Sequence, residues 1–163
     1  MRLFIMFFIM LTTIAFAETP KINSDGKVEI AGEKVRCEDV RIRLDNKLDN
    51  LGVSYPEERI IIINPRELSY FEGAVQLFVW AHECGHVIQD GGSEVDADCF
   101  AVKKGIDDGW LTRKTMMWVC RSFGNEPAND VYPSGVRRCA LAQFCYAKYK
   151  KERHERKVRE ANE

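Results

Sequence analysis

Two of the three histidines in this 163-residue chain stand four apart, in His82-Glu83-Cys84-Gly85-His86. On a helix, residues at that spacing are neighbours on one face, about 5–6 Å between Cβ atoms, so both imidazoles can grip one metal ion. Glu83 lies one step round the helix, too close to serve as a third ligand but well placed to hold a water at the metal. Chance placement of this composition gives roughly 0.005 matches to H-E-x-x-H, so the pattern points to a metal site. A catalytic zinc needs a third protein ligand and an open position. Gly92 stands ten residues after His82, where a further histidine would complete a three-histidine site, and His154 lies in a charged tail. The search therefore moves to the carboxylates of Glu94-Val95-Asp96-Ala97-Asp98. A turn over Asp90–Ser93 can fold a second helix back beside the first and bring Glu94 to the metal. Asp98 shares the face of Glu94 and is suited to accept a hydrogen bond from a ligand imidazole. Direct ligation by Asp98 is the alternative. Asp96 lies about 200° round from Glu94 and serves the helix cap.

These residues need two helices and a tight turn. A mostly apolar helix is expected from about Phe71 to Asp90, ended by Asp90-Gly91-Gly92. Gly85 inside it costs about 1 kcal/mol relative to Ala, which suggests close approach of another backbone. Ser93 reads as an N-cap with Asp96 completing a capping-box variant, for a helix to about Lys104 with Gly105 past its end. Thr112 caps a third helix to Phe123, and Ser134 starts a fourth that becomes wholly polar from Lys148. Upstream, Ser24–Cys37 reads as a hairpin, and Ile60–Ile63, between Pro56 and Pro65, as the clearest strand. Val40, Leu44, Leu48 and Leu51 have helical spacing with Gly52 as a stop, and a strand over Val40–Leu44 competes. The expected fold is α+β: a small, mostly antiparallel sheet followed by about four helices. One domain should span 18–147, with 148–163 a charged tail, either a solvated or frayed helix end or a contact for an anionic surface.

With 24 Lys+Arg against 25 Asp+Glu, no chain-wide basic field exists to bind nucleic acid non-specifically. A hydrophobic content of 45% excludes a mostly disordered chain. Residues 1–17 place Arg2 before the apolar run Leu3–Leu11 and the small-x-small site Ala15-Phe16-Ala17, the order of a secretory signal peptide. An uncleaved signal anchor is the other reading. Cleavage before Glu18 would leave a secreted or periplasmic chain of net charge −2, with no stable membrane insertion. All six cysteines lie beyond that point, so up to three disulfides are expected. No C-x-x-C occurs, which disfavours a zinc finger. Cys84, about 200° round from His82, should point away from the metal and pair with Cys99, while Cys120 should pair with Cys139 or Cys145.

HECGH followed by Glu94-x-x-Ala97-Asp98 resembles the paired helices of gluzincin metallopeptidases, particularly the CAAX prenyl endopeptidase type. The resemblance covers about 20 residues and departs in its short His86-to-Glu94 interval and its lack of transmembrane helices. It implies that His82, His86 and Glu94 ligate Zn2+, that Glu83 is general base and acid, and that Asp98 supports a ligand imidazole. Tyr132-Pro133-Ser134-Gly135-Val136-Arg137-Arg138 is similar to a His-Pro…Arg segment of related enzymes, with Tyr where His would stand. Tyr132 would then donate to the oxyanion, with Arg137 or Arg138 in support. A plain Tyr-Pro turn is the other reading. The resemblance implies hydrolysis of a peptide or protein substrate, bound by strand addition to Ile60–Ile63, for which a plain buried sheet strand is the other reading. Two further functions compete: a disulfide-stabilised metal-binding module without turnover, and a zinc amidase acting on cell-wall peptides.

Overall fold

The computed structural model describes residues 18–24 and 27–162, so the expected signal peptide at 1–17 lies outside the described residues. The fold is α+β, with two small sheets and five helices among the described residues. Strands β1 (Lys21–Ile22), β2 (Val28–Ile30) and β3 (Glu33–Lys34) form an antiparallel sheet, and β2–β3 is the hairpin expected over Ser24–Cys37. The second sheet has the order β4-β6-β5, from β4 (Arg41–Leu44), β5 (Gly52–Tyr55) and β6 (Ile60–Ile63). Within it β6 runs parallel to β4 and antiparallel to β5. Both sheets precede the helices α1 (Pro65–Leu68), α2 (Gly73–Ile88), α3 (Glu94–Asp108), α4 (Arg113–Ser122) and α5 (Gly135–Glu160).

The helix read at Val40–Leu51 does not form. Its first part is β4, and the competing strand reading holds there because β4 pairs along its whole length with the four isoleucines of β6. A weak 3.6-residue period yields to a sheet partner that satisfies every backbone group on that side. Gly52, read as a helix stop, instead opens β5. In β6, Ile61 and Ile63 are fully buried while Ile60 and Ile62 are half-buried, the alternation of a strand with one face on the core. Asn64 then caps α1 by accepting from the Glu67 N–H and donates to the Leu48 carbonyl, which anchors the loop between β4 and β5.

Helix α2 buries eleven of its sixteen residues, which explains why its sequence is apolar nearly all round. Gly85 lies against α3: a Cβ there would come 3.1 Å from the Cα of Ala97 and 3.1 Å from the Cβ of Phe100. The close backbone approach inferred from this glycine is present. Asp90 and Gly91, both at positive φ, turn the chain, and the Gly91 N–H donates to the His86 carbonyl at 2.7 Å. Ser93 and Asp96 then form the expected capping box.

Helix α3 does not stop at Lys104. It runs to Asp108 with Gly109, at φ 90°, as its left-handed cap. Gly105 serves packing rather than termination, since a Cβ there would lie 2.6 Å from Leu111 and 2.7 Å from the Trp110 ring. Gly105→Ala should therefore destabilise the protein by about 1–3 kcal/mol in denaturant titration, although alanine is the better helix former. A stabilised variant would show that Trp110 and Leu111 give way freely. The polar end of α5 stays helical to Glu160, and it touches α3, with Arg153 donating to the Ile106 carbonyl and Arg156 pairing with Asp107 at 3.5 Å. Both arginines sit at the C-terminal end of α3, where its dipole favours positive charge.

The disulfides are Cys37–Cys84, Cys99–Cys145 and Cys120–Cys139. Cys120 pairs with one of its two expected partners. The expected Cys84–Cys99 bond is absent, because Gly85 is the α2 residue that meets α3. Cys84, 100° away, faces the segment leading into β4 instead. No described helix is long and apolar enough to cross a membrane.

Candidate metal centre

The α2–turn–α3 unit brings His82, His86 and Glu94 together. One ligand atom from each lies within 4.8 Å of the others. The two Nε2 atoms are 3.1 Å apart, close to the roughly 3.3 Å edge of a tetrahedron with 2.0–2.1 Å zinc–nitrogen bonds. Glu94, the first residue of α3, places Oε2 3.2 Å from His82 Nε2 and Oε1 3.4 Å from His86 Nε2. The tautomers follow from the other ring nitrogens. His82 Nδ1–H donates to Asp98 Oδ1 at 2.9 Å, and His86 Nδ1 faces the Gly91 carbonyl at 3.4 Å. A neutral imidazole protonated at Nδ1 carries a lone pair at Nε2. Two lone pairs and a carboxylate thus converge on one point, and Glu94 Oε2 is buried with no hydrogen-bond donor. Positive charge at that point, from a metal ion or from a proton on an imidazole, reconciles such a set.

The electrostatics agree. Burial works to lower the His82 pKa, but the Asp98 and Glu94 carboxylates outweigh it and raise it to about 9. Glu94 likewise raises His86, against burial and the neighbouring His82. Burial would push the Glu94 carboxyl up, yet the two imidazoles hold it down to about 2. Positive charge is drawn to this point whether a proton or a metal ion supplies it.

Asp98 approaches His82 from the Nδ1 side, opposite to Glu94. Its side chain is 1% exposed and fully engaged, because Arg138 adds two hydrogen bonds, Nε to Oδ2 at 2.9 Å and Nη2 to Oδ1 at 2.7 Å. Direct ligation by Asp98 in place of Glu94 is therefore not the arrangement found. Arg138 stacks over Phe123, 4.5 Å from the ring centre, and lies 5.6 Å from that of Tyr132. Sequence reasoning offered Arg137 or Arg138 as support for Tyr132. The structure leaves Arg137 exposed and gives Arg138 a different role, holding Asp98.

These groups open onto a cleft of about 760 Å³ between β5, α2 and the segment from Ser122 to Arg138. Glu83 and Tyr132 both line it. Glu83 is half-buried, and among the described residues its carboxylate has no hydrogen-bond or ion-pair partner. Burial and the charges of Glu94 and Glu83 push the Tyr132 hydroxyl up, keeping it protonated and able to donate. Gly52 was missed as a site residue. A Cβ there would come 3.0 Å from Glu83 Cγ and 3.3 Å from Oε1, so its lack of a side chain leaves Glu83 its place. The only signal was a glycine opening the short segment Val53-Ser54-Tyr55 ahead of Pro56.

Of the two readings of Ile60–Ile63, the buried sheet strand is the one found, and the peptide-receiving edge is not. Ile60–Ile63 is central and paired on both sides, so it has no free edge. The free edge at the cleft belongs to β5. Ile63 directs its carbonyl to Asp45 on the β4 side, and Leu51 accepts from the Asn64 N–H. The alternation of an antiparallel ladder then leaves the backbone groups of Gly52 and Ser54 on the open side.

Compared with protein-family models, curated proteins and solved structures, the chain matches none.

Proposed function

We propose that this chain is an exported zinc metallopeptidase of gluzincin type, with His82, His86 and Glu94 as ligands. The observation that carries the reading is the convergence of two Nε2 lone pairs and an orphaned Glu94 oxygen beside an unpartnered Glu83 in an open cleft. Zn2+, when bound, supplies a Lewis acid that acidifies water and polarises a carbonyl. Glu83 takes the proton of the attacking water and delivers it to the leaving amine. Asp98 keeps His82 in the Nδ1–H tautomer, and Arg138 holds Asp98 in place with two hydrogen bonds. Tyr132 donates to the developing oxyanion from the cleft wall. The peptide lies extended along β5, pairing with the free backbone groups of Gly52 and Ser54. Export accords with three disulfides, which persist in oxidising compartments.

A binding module without turnover has no use for a free carboxylate beside its ligands, which is why hydrolysis is favoured. The test is metal analysis of the purified chain together with cleavage of a peptide library. One zinc per chain is expected, with cleavage that a chelator abolishes and added zinc restores. Absence of stoichiometric zinc, or cleavage indifferent to chelator, would overturn the assignment.

A further inference from the structure

Each of the three disulfides includes the residue that directly follows a group of the site, in Glu83-Cys84, Asp98-Cys99 and Arg138-Cys139. One step along a helix turns about 100° and rises about 1.5 Å. Each cystine therefore grips backbone beside a site group from a different face, and no cysteine lines the cleft among the described residues. Helices α3 and α5 are tied twice, by the Asp98–Arg138 pair and by Cys99–Cys145. Arg138 and Cys145 stand two turns apart on one face of α5, so the covalent tie runs alongside the ionic one. Helix α3 also carries Glu94. The Asp98 hydrogen bonds, at 2.7–2.9 Å, fail if the helices shift by about an ångström, and the His82 imidazole then loses its orienting partner.

We infer that the cystines, Cys99–Cys145 foremost, are positioning residues for the metal cluster, which reaches its full affinity only in the disulfide-bonded chain. The inference rests on the metal-centre reading above. A dithiol reductant opens each bond by a two-electron exchange: two cysteine thiols form with the two protons of the dithiol, which itself becomes a cyclic disulfide. Metal capture at full affinity then follows oxidative folding, and a reducing compartment weakens it.

The experiment titrates the oxidised chain with Co2+, following the ligand-field absorption, beside the Cys99→Ala/Cys145→Ala variant. The titration is run at a temperature where far-UV circular dichroism shows the variant folded. The folded variant should bind Co2+ at least about tenfold more weakly. In the metal-free state it should also lose the downfield NMR signal of the His82 Nδ1 proton. Parent chain treated with dithiol should release Co2+, and re-oxidation should restore it. Equal affinity in the folded variant overturns the inference. If the variant does not fold, a dithiol time course decides: Co2+ release tracking the opening of Cys99–Cys145 ahead of unfolding supports the inference, and release only with global unfolding overturns it. Failure of the oxidised parent to bind Co2+ removes the metal-centre reading itself, together with what rests on it.

Discussion

Replacing Glu83 by Gln should lower kcat by about 10²–10⁴-fold, or roughly 3–5 kcal/mol of barrier, while zinc stays at one per chain. The amide copies the shape of the carboxylate, so the contact with Gly52 and the placement of β5 are kept. Its oxygen is too weak a base to accept a proton from water. His82, His86 and Glu94, the three groups that converge, are untouched. The substitution therefore separates proton transfer from metal binding. A steady-state assay beside metal analysis reads both quantities. A variant as fast as the parent would remove Glu83 from the mechanism. A parent chain that binds zinc but cleaves nothing, matched by an equally inert variant, would favour the module without turnover.

Arg138→Met should cost about 3–5 kcal/mol of stability, read from the midpoint of urea unfolding. Methionine preserves much of the length and the packing on Phe123 but removes the guanidinium that donates twice to Asp98. With its side chain 1% exposed, the Asp98 carboxylate is left buried with His82 as its remaining partner. An unpaired buried charge is costly because desolvation is no longer offset. Adding Asp98→Asn removes that charge and should recover part of the loss, a coupling that a double-mutant cycle isolates. A loss below 1 kcal/mol for Arg138→Met alone would mean that Arg138 is a surface ion pair of ordinary worth.

The cluster His82, His86, Glu94 was legible because its determinants are local. Four residues of helix, a Gly-containing turn and a Ser–Asp cap fix the geometry within thirteen positions, and each has a sequence signature. Asp98 followed from its spacing to Glu94. What stayed hidden depends on partners distant in the chain. Arg138 lies forty residues from Asp98, and nothing in its neighbourhood distinguishes it from Arg137. Gly105 and Gly52 were read as stops, since a glycine chosen for close packing looks the same in sequence as one chosen for a left-handed turn. The short strand β5 carries too few residues to show a period, and its role follows from a place in the sheet that only pairing decides. Disulfide connectivity was open for the same reason: fifteen pairings satisfy six cysteines, and helix rotation excluded too few of them.

The two walls of the cleft differ in kind. Helix α2 is sunk in the core, so its amide hydrogens exchange only when much of the protein opens. The facing wall from Gly124 to Tyr132 is exposed throughout and held by an Asx turn at Asn129, the Asn129 N–H to Tyr132 carbonyl bond, and single backbone bonds from Gly124 to Arg121 and from Gly135 to Glu126. Hydrogen exchange should find that wall opening at a small fraction of the global unfolding free energy. Cα displacements are therefore expected to concentrate in that wall, on the timescale of loop motion, while the histidine-bearing floor keeps its spacing. The molecule is in effect a rigid anvil with one compliant jaw.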